Sequence, residues 1–244
     1  MRALRSIRAR SKGDRTMTAP HPSEYERYLR VPELLSLQKP LEERTHEDEL
    51  LFQVVHQSEE LWFKLALDDG RRAIRAIDAD EDHEAVFLLR RIRDIENLAS
   101  SQLAIIEKMP PVNYWAIRKG LGHGSGQESP GFNAMLKSFA PIWDAYARLL
   151  SRRSLDVETI HRDPKRDPGA FALAEALLEI DEGFQSFRYH HWILVKRILG
   201  EGTPSLKGKP TELLERSMKV PFFPKLWQAR EALFKDFVPG ELKD

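Results

Sequence analysis

Residues 45–67 read THEDELLFQVVHQSEELWFKLAL, and this stretch decides the fold. Thr45 followed by Asp48 and Glu49 has the chemistry of a helix N-terminal cap, and apolar residues then recur at helical spacing to Leu67. Asp69-Gly70 is expected to interrupt the helix before a short continuation to Ile77. Working outward, a second helix spans about 82–108 and stops at Met109-Pro110-Pro111, because proline disfavours helix in the residue before it. KGLGHGSGQESPG at 119–131 holds five glycines and a proline and reads as a loop. A third helix runs from Phe132 to Arg153, with Pro141 kinking it or marking its true start. Residues 154–168 are polar, and a long fourth helix covers Gly169 to Leu199. GEGTPSLKGKPT at 200–211 is a second loop, and Pro221 and Pro224 punctuate the C-terminal portion. No internal repeat and no alternating strand pattern occurs. The expected fold is all-α, a bundle of long helices packed side by side.

Composition narrows the function. The 244 residues suit one domain and bury a sizeable core. Charge is balanced, with 38 Lys+Arg against 38 Asp+Glu, which argues against nucleic-acid binding through bulk positive charge. No run of ~20 apolar residues exists to span a membrane. The chain has no cysteine, which excludes disulfides, thiolate nucleophiles, cysteine-held zinc and iron–sulfur clusters, and fits a cytoplasmic setting. The neutral total hides an asymmetry: residues 1–16 carry six basic residues against Asp14, leaving 32 basic and 37 acidic residues beyond them, a net of −5. That leader lacks the apolar segment of a secretory signal. Its composition is open to an organelle transit peptide; the simpler alternative is a disordered tail or upstream sequence before a start at Met17. The expected organisation is a basic leader at 1–16 and a single helical domain at 17–244.

Two histidine neighbourhoods carry candidate chemistry. Phe52, His56, Glu59 and Phe63 fall at i, i+4, i+7 and i+11, one face of the first helix. The simplest account of His56 is a core or interface histidine bonded to Glu59 or Glu60. On the fourth helix, Phe184, Phe187, His191, Leu194, Val195 and Ile198 form a stripe, while His190 points about 100° away. A neutral imidazole in an apolar wall suits axial ligation of haem iron, although from spacing alone a packed core is the simpler account. Arg118 has Tyr114 one helical turn before it and a glycine-rich loop after it, a setting that suits a bidentate carboxylate clamp or a surface salt bridge. The loop has no strand before it and no Walker lysine, so it is not a phosphate fingerprint. No His-Glu-x-x-His helix and no Gly-x-Ser-x-Gly elbow is present.

Several separated motifs together resemble the tryptophan 2,3-dioxygenase family, within the histidine-ligated haem-dependent aromatic oxygenases. They are YERYLRVPELLSLQKPL at 25–41, HEDELLFQVVHQSEELWFKL at 46–65, MPPVNYWAIRKGLGHGSG at 109–126, FRYHHWILVKRILG at 187–200 and PFFPKLW at 221–227. The resemblance implies a haem oxygenase acting on a small aromatic substrate and O2, with haem b held by His191 as proximal iron ligand and His56 as the distal catalytic histidine. It implies that Phe52 and Tyr114 line the substrate pocket, Arg118 clamps a carboxylate, and Ser125 borders the distal haem face. Tyr25, Tyr28 and Leu29 match residues that reach a neighbouring subunit's site, which implies a homo-oligomer, a tetramer or dimer. One loop departs from the pattern. Where the family carries GTGGSSG to hold the substrate ammonium, this chain reads GEGTPSLKGKPT, with Thr203 or Ser205 as the counterpart. The loop after Arg118 also reads SGQES rather than SGFQS. Both departures touch substrate recognition and leave the haem ligands alone. The expected activity is tryptophan 2,3-dioxygenase-like cleavage of L-tryptophan or a substituted indole. The alternatives are a haem-dependent hydroxylase of an indole derivative or L-tyrosine, and a non-catalytic haem sensor, against which Arg118 argues.

Overall fold

The computed structural model describes residues 22–122, 124–200, 215–216 and 218–237, and the chain divides into two units, one ending at Lys39 and one starting at Pro40. The expected leader at 1–16 and the loop residues Thr203 and Ser205 lie outside the described residues.

The first unit holds α1 (Glu24–Leu29) and α2 (Val31–Leu35). Ser23 and Glu26 form a capping box at the start of α1. Arg30 takes a left-handed conformation, φ 55°, and so separates two short helices where one longer helix would otherwise run. Tyr25, Tyr28 and Leu29 are exposed on this unit.

In the second unit the bundle comprises α3 (Glu49–Asp78), α4 (Asp82–Ile106), α5 (Pro111–Gly120), α6 (Pro130–Arg152), α7 (Val157–Arg162), α8 (Pro168–Leu199) and α9 (Pro224–Phe237). Every regular element among the described residues is helical. The four long helices stand where the apolar periodicity places them. Helix α3 packs on α4 and α6, and α4 packs on α8.

Three local expectations change. Helix α3 runs unbroken through Asp69-Gly70. Asp69 is fully buried, held by Arg91 and, at 3.5 Å, by Arg72. At Gly70 the side chains of Ile142 and Ile92 lie at the distance of ordinary van der Waals contact from where a Cβ would stand. The pair that looked like a breaker is therefore a close-packed crossing point. Pro141 neither starts nor ends α6, which continues through it. The cap at residues 45–49 is also arranged differently: Asp48 is the N-cap, and the buried Glu49 carboxylate accepts from the Thr45 N–H and hydroxyl at 2.7 and 3.0 Å.

The end of the bundle away from α5 is tied by charge. Arg153 reaches Asp80, Asp82 and Asp167 at 3.0, 2.8 and 3.2 Å, joining the α3–α4 turn to the N-cap of α8. His161, which sequence places in polar surroundings, has a buried side chain packed edge-on to Phe171. Among the described residues no helix is long and apolar enough to cross a membrane.

Candidate functional site

Helices α3 and α8 come together through aromatic rings, and partly exposed side chains of both, His56 and His191 among them, border one common region, here called the cleft. At its base the rings of Phe63 and Phe187 meet edge to face at 6.2 Å, and Phe132 of α6 packs on both. Above this aromatic floor, α3 presents His56 and Phe52, and α8 presents His191.

His56 and Phe52 are brought together by the helix itself, with ring centroids 4.0 Å apart and planes tilted by 34°. The Nδ1 of His56 lies 2.7 Å from the carbonyl oxygen of Phe52. A carbonyl only accepts, so Nδ1 carries the proton and Nε2 keeps its lone pair. Burial pushes the His56 pKa down, with the Phe52 carbonyl and the nearby Glu60 charge pulling back only in part. The expected bond to Glu59 or Glu60 is not made. Glu60 instead accepts from the Ser129 hydroxyl and from the Gly131 N–H at 2.9 Å, which ties α3 to the start of α6. A Cβ on Gly131 would collide with Glu60 and with Phe63, so that junction requires glycine.

His191 stacks nearly parallel on Phe187, 6.3 Å between centroids. No hydrogen bond reaches its ring nitrogens among the described residues. The ring keeps some accessible surface although protein surrounds it, as expected for a group that lines a cleft. Burial, followed by the proximity of His56, pushes its pKa down to about 4, so it is neutral at pH 7. Its neighbour His190 is occupied, with Nδ1 2.5 Å from the Ser100 hydroxyl of α4.

Helix α5, unassigned from sequence because its ten residues sit between a proline pair and a glycine run, supplies the third side. Asn113 Nδ2 donates to Asp48 at 2.7 Å, fixing α5 to the N-terminus of α3. Tyr114 then lies 6.2 Å from Phe52. Burial raises the Tyr114 pKa, and the Arg118 charge partly offsets this, so Arg118 stands close to the same pocket. Its guanidinium lies over the Trp115 ring at 4.8 Å.

Thus the structure brings together Phe52, His56, Tyr114, Arg118 and His191. Ser125 lies in the following loop, where its N–H donates to Glu128 at 3.0 Å. Tyr25, Tyr28 and Leu29 belong to the other unit. An apolar groove lined by Ser58, Leu61, Trp62 and Leu65 occupies a different face of α3 and holds no titratable side chain.

Two features escaped the sequence. Asp181, fully buried on α8, accepts from the Phe222 and Phe223 N–H groups at 3.0 and 3.2 Å and from Trp227 Nε1 at 2.9 Å. Arg188 adds a guanidinium over Phe184 and Phe222, at 4.8 and 4.5 Å, and donates to the Val220 carbonyl at 3.2 Å. The PFFPKLW segment therefore straps the helix that carries His191; its aromatics signalled packing, but no local pattern revealed its acceptor. The second feature is Glu59, buried on the cleft face of α3 with its Oε1 lacking a hydrogen-bond partner among the described residues.

Comparison with known proteins shows what the chain is similar to. A family model described as tryptophan 2,3-dioxygenase matches residues 11–138. The chain is similar to the tryptophan 2,3-dioxygenase of Kineococcus radiotolerans, 30% identical over 84% of this chain and 90% of that protein. It is likewise similar to those of Herpetosiphon aurantiacus and Caulobacter vibrioides, 31% and 30% identical, each alignment covering 86% of this chain and 98% of the relative.

Proposed function

The chain belongs to the tryptophan 2,3-dioxygenase family, and on that premise we propose that it is a haem-dependent oxygenase that opens the indole ring of L-tryptophan or a substituted indole with O2. The observation that carries the assignment is the contrast between the adjacent histidines: His190 is bonded to Ser100, whereas His191 has open nitrogens beside a flat aromatic wall.

The residues fit haem b. A bare transition ion is usually held by three or more protein ligands, and no such group of His, Asp or Glu converges among the described residues. A tetrapyrrole brings four nitrogens of its own and would ask the protein for one imidazole and apolar surroundings. His191 would be that imidazole; being neutral, it loses no proton to ligate. When bound, haem supplies the iron chemistry through which O2 reacts with the aromatic ring.

The chain's own residues supply the rest. Arg118 pairs with the substrate carboxylate through two parallel N–H bonds. Phe52 and Tyr114 hold the ring and exclude water. His56, with Nδ1–H donated to Phe52, accepts the indole N–H at Nε2. Holding all partners in one geometry converts a collision into a positioned reaction. Ser125 would border the distal side, and Thr203 would serve the substrate ammonium. Tyr25, Tyr28 and Leu29, exposed at 71%, 87% and 44%, would reach a neighbouring subunit of a homo-oligomer, a tetramer or dimer in the cytoplasm.

Mass spectrometry of products from tryptophan, substituted tryptophans, indoles and tyrosine under 18-O2 tests this function. Two labelled atoms in a ring-opened product are expected. One labelled atom identifies the hydroxylase alternative, and haem binding without any oxygenated product overturns both.

A further inference from the structure

Glu59 lies on the α3 face that carries Phe52, His56 and Phe63. That face meets Tyr114 through Phe52 at one end and Phe187 and Phe132 through Phe63 at the other. A side chain between them is directed into the cleft. Glu59 is 9% exposed, and its Oε1 is sealed from water with no hydrogen-bond partner among the described residues. Burial, reinforced by the charge of Glu60, pushes its carboxyl up to about 8, so the group carries a proton at pH 7. Glu60 is the only charged group among the described residues that perturbs it. Buried polar groups in folded proteins have partners, and one aimed into a binding cleft without a protein partner is matched by what binds there.

Seven residues separate Glu59 from Phe52, about 10 Å along the helix. Phe52, Tyr114 and Arg118 mark the carboxylate end of the cleft. Glu59 therefore addresses the ring edge farthest from the amino-acid head. A protonated carboxyl offers one O–H donor and one carbonyl acceptor. A ring hydroxyl matches both, and a methyl group matches neither. We propose that Glu59 is a specificity-determining residue whose carboxyl group pairs with a hydroxyl on the far ring edge of the aromatic substrate. The assignment rests on the function proposed above and sharpens it toward hydroxylated indole amino acids.

Calorimetric binding to the haem-loaded full chain, without O2 so that no turnover occurs, tests it with L-tryptophan, its ring-hydroxylated isomers and their ring-methylated counterparts. Wild type is expected to bind one hydroxylated isomer roughly tenfold more tightly than its methylated counterpart. Glu59→Gln should keep part of that preference, and Glu59→Leu should erase it. A wild type without the preference, or a preference that survives in Glu59→Leu, overturns the proposal. The infrared carbonyl stretch of protonated carboxylic acid provides a second readout, with or without haem. One component should titrate near pH 8 and vanish in Glu59→Gln, leaving that of Glu96, which is buried with both oxygens unpartnered. An unchanged band in Glu59→Gln overturns the proposal. If the band behaves as expected but no tryptophan binds wild type, the proton on Glu59 stands, while the cleft function falls and takes the ligand assignment with it.

Discussion

Asp181 and Glu59 are both acidic side chains drawn out of water inside one helical bundle, yet their surroundings are opposite. Asp181 collects N–H donors from Phe222, Phe223 and Trp227, with the Gln185 amide as a fourth at 3.2 Å. Glu59 receives none. The histidines repeat the contrast, His190 bonded to Ser100 and His191 open. Asp181 and His190, which hold the walls, are bonded, because a buried polar atom left unpaired costs more than its bond returns. Groups on the cleft face keep their valences for something else. Arg93 Nε, His161 Nε2 and Glu179 Oε2 are also buried without a hydrogen bond among the described residues, and Glu96 departs furthest from this division. It is sealed between α4 and α8 against Gly183, both oxygens unpartnered among the described residues, and burial followed by the charge of Asp181 pushes its pKa well up.

The sharpest way to break the contrast is to exchange its two sides. His191→Ala should abolish stable haem binding, measured as the Soret absorbance retained after gel filtration, with little change in folding. Asp181→Ala should do the reverse: loss of an acceptor shared by several buried donors is expected to cost about 3–5 kcal/mol in denaturant unfolding, while the fraction still folded binds haem. Arg118→Ala should weaken carboxylate-bearing substrates by about 2–5 kcal/mol and leave indoles without a carboxylate unchanged, read from binding constants.

Glu59 gives a pH signature with a definite sign. Its folded value of about 8 exceeds the reference of 4.5, so the native chain keeps a proton that the unfolded chain releases. The contribution is fully present below the unfolded value and is lost as pH rises toward 8, at up to about 1.4 kcal/mol per pH unit. Glu59→Gln should remove this part of the slope of unfolding free energy against pH, and Glu96 should retain a part of the same sign. The smallest expected effect is that of His190→Ala: about 0.5–1.5 kcal/mol of stability for its bond to Ser100, with haem binding intact.

Much of this arrangement is legible in the chain. Apolar periodicity marks α3, α4, α6 and α8, and the spacing of Phe52, His56 and Phe63 marks the cleft face. Short helices are harder, because α1, α2, α5 and α7 span only one to three turns and are set by caps and tertiary partners such as Asn113–Asp48. Asp69-Gly70 looks like a break until Arg91 and Ile142 are brought to it from other helices. The open state of Glu59 and the saturated state of Asp181 are invisible in one dimension for the same reason: both depend on residues distant in sequence, present or missing.

The order in which the chain is made gives the strap over α8 a further consequence. Residues 220–227 leave the ribosome after α8, at roughly 5–20 residues per second. Until they arrive, Asp181 faces outward without its donors and the helix bearing His191 lacks one flank. The cleft is therefore completed last, so a nascent chain halted just after α8 would already contain every proposed haem contact and still be unable to hold that wall in place.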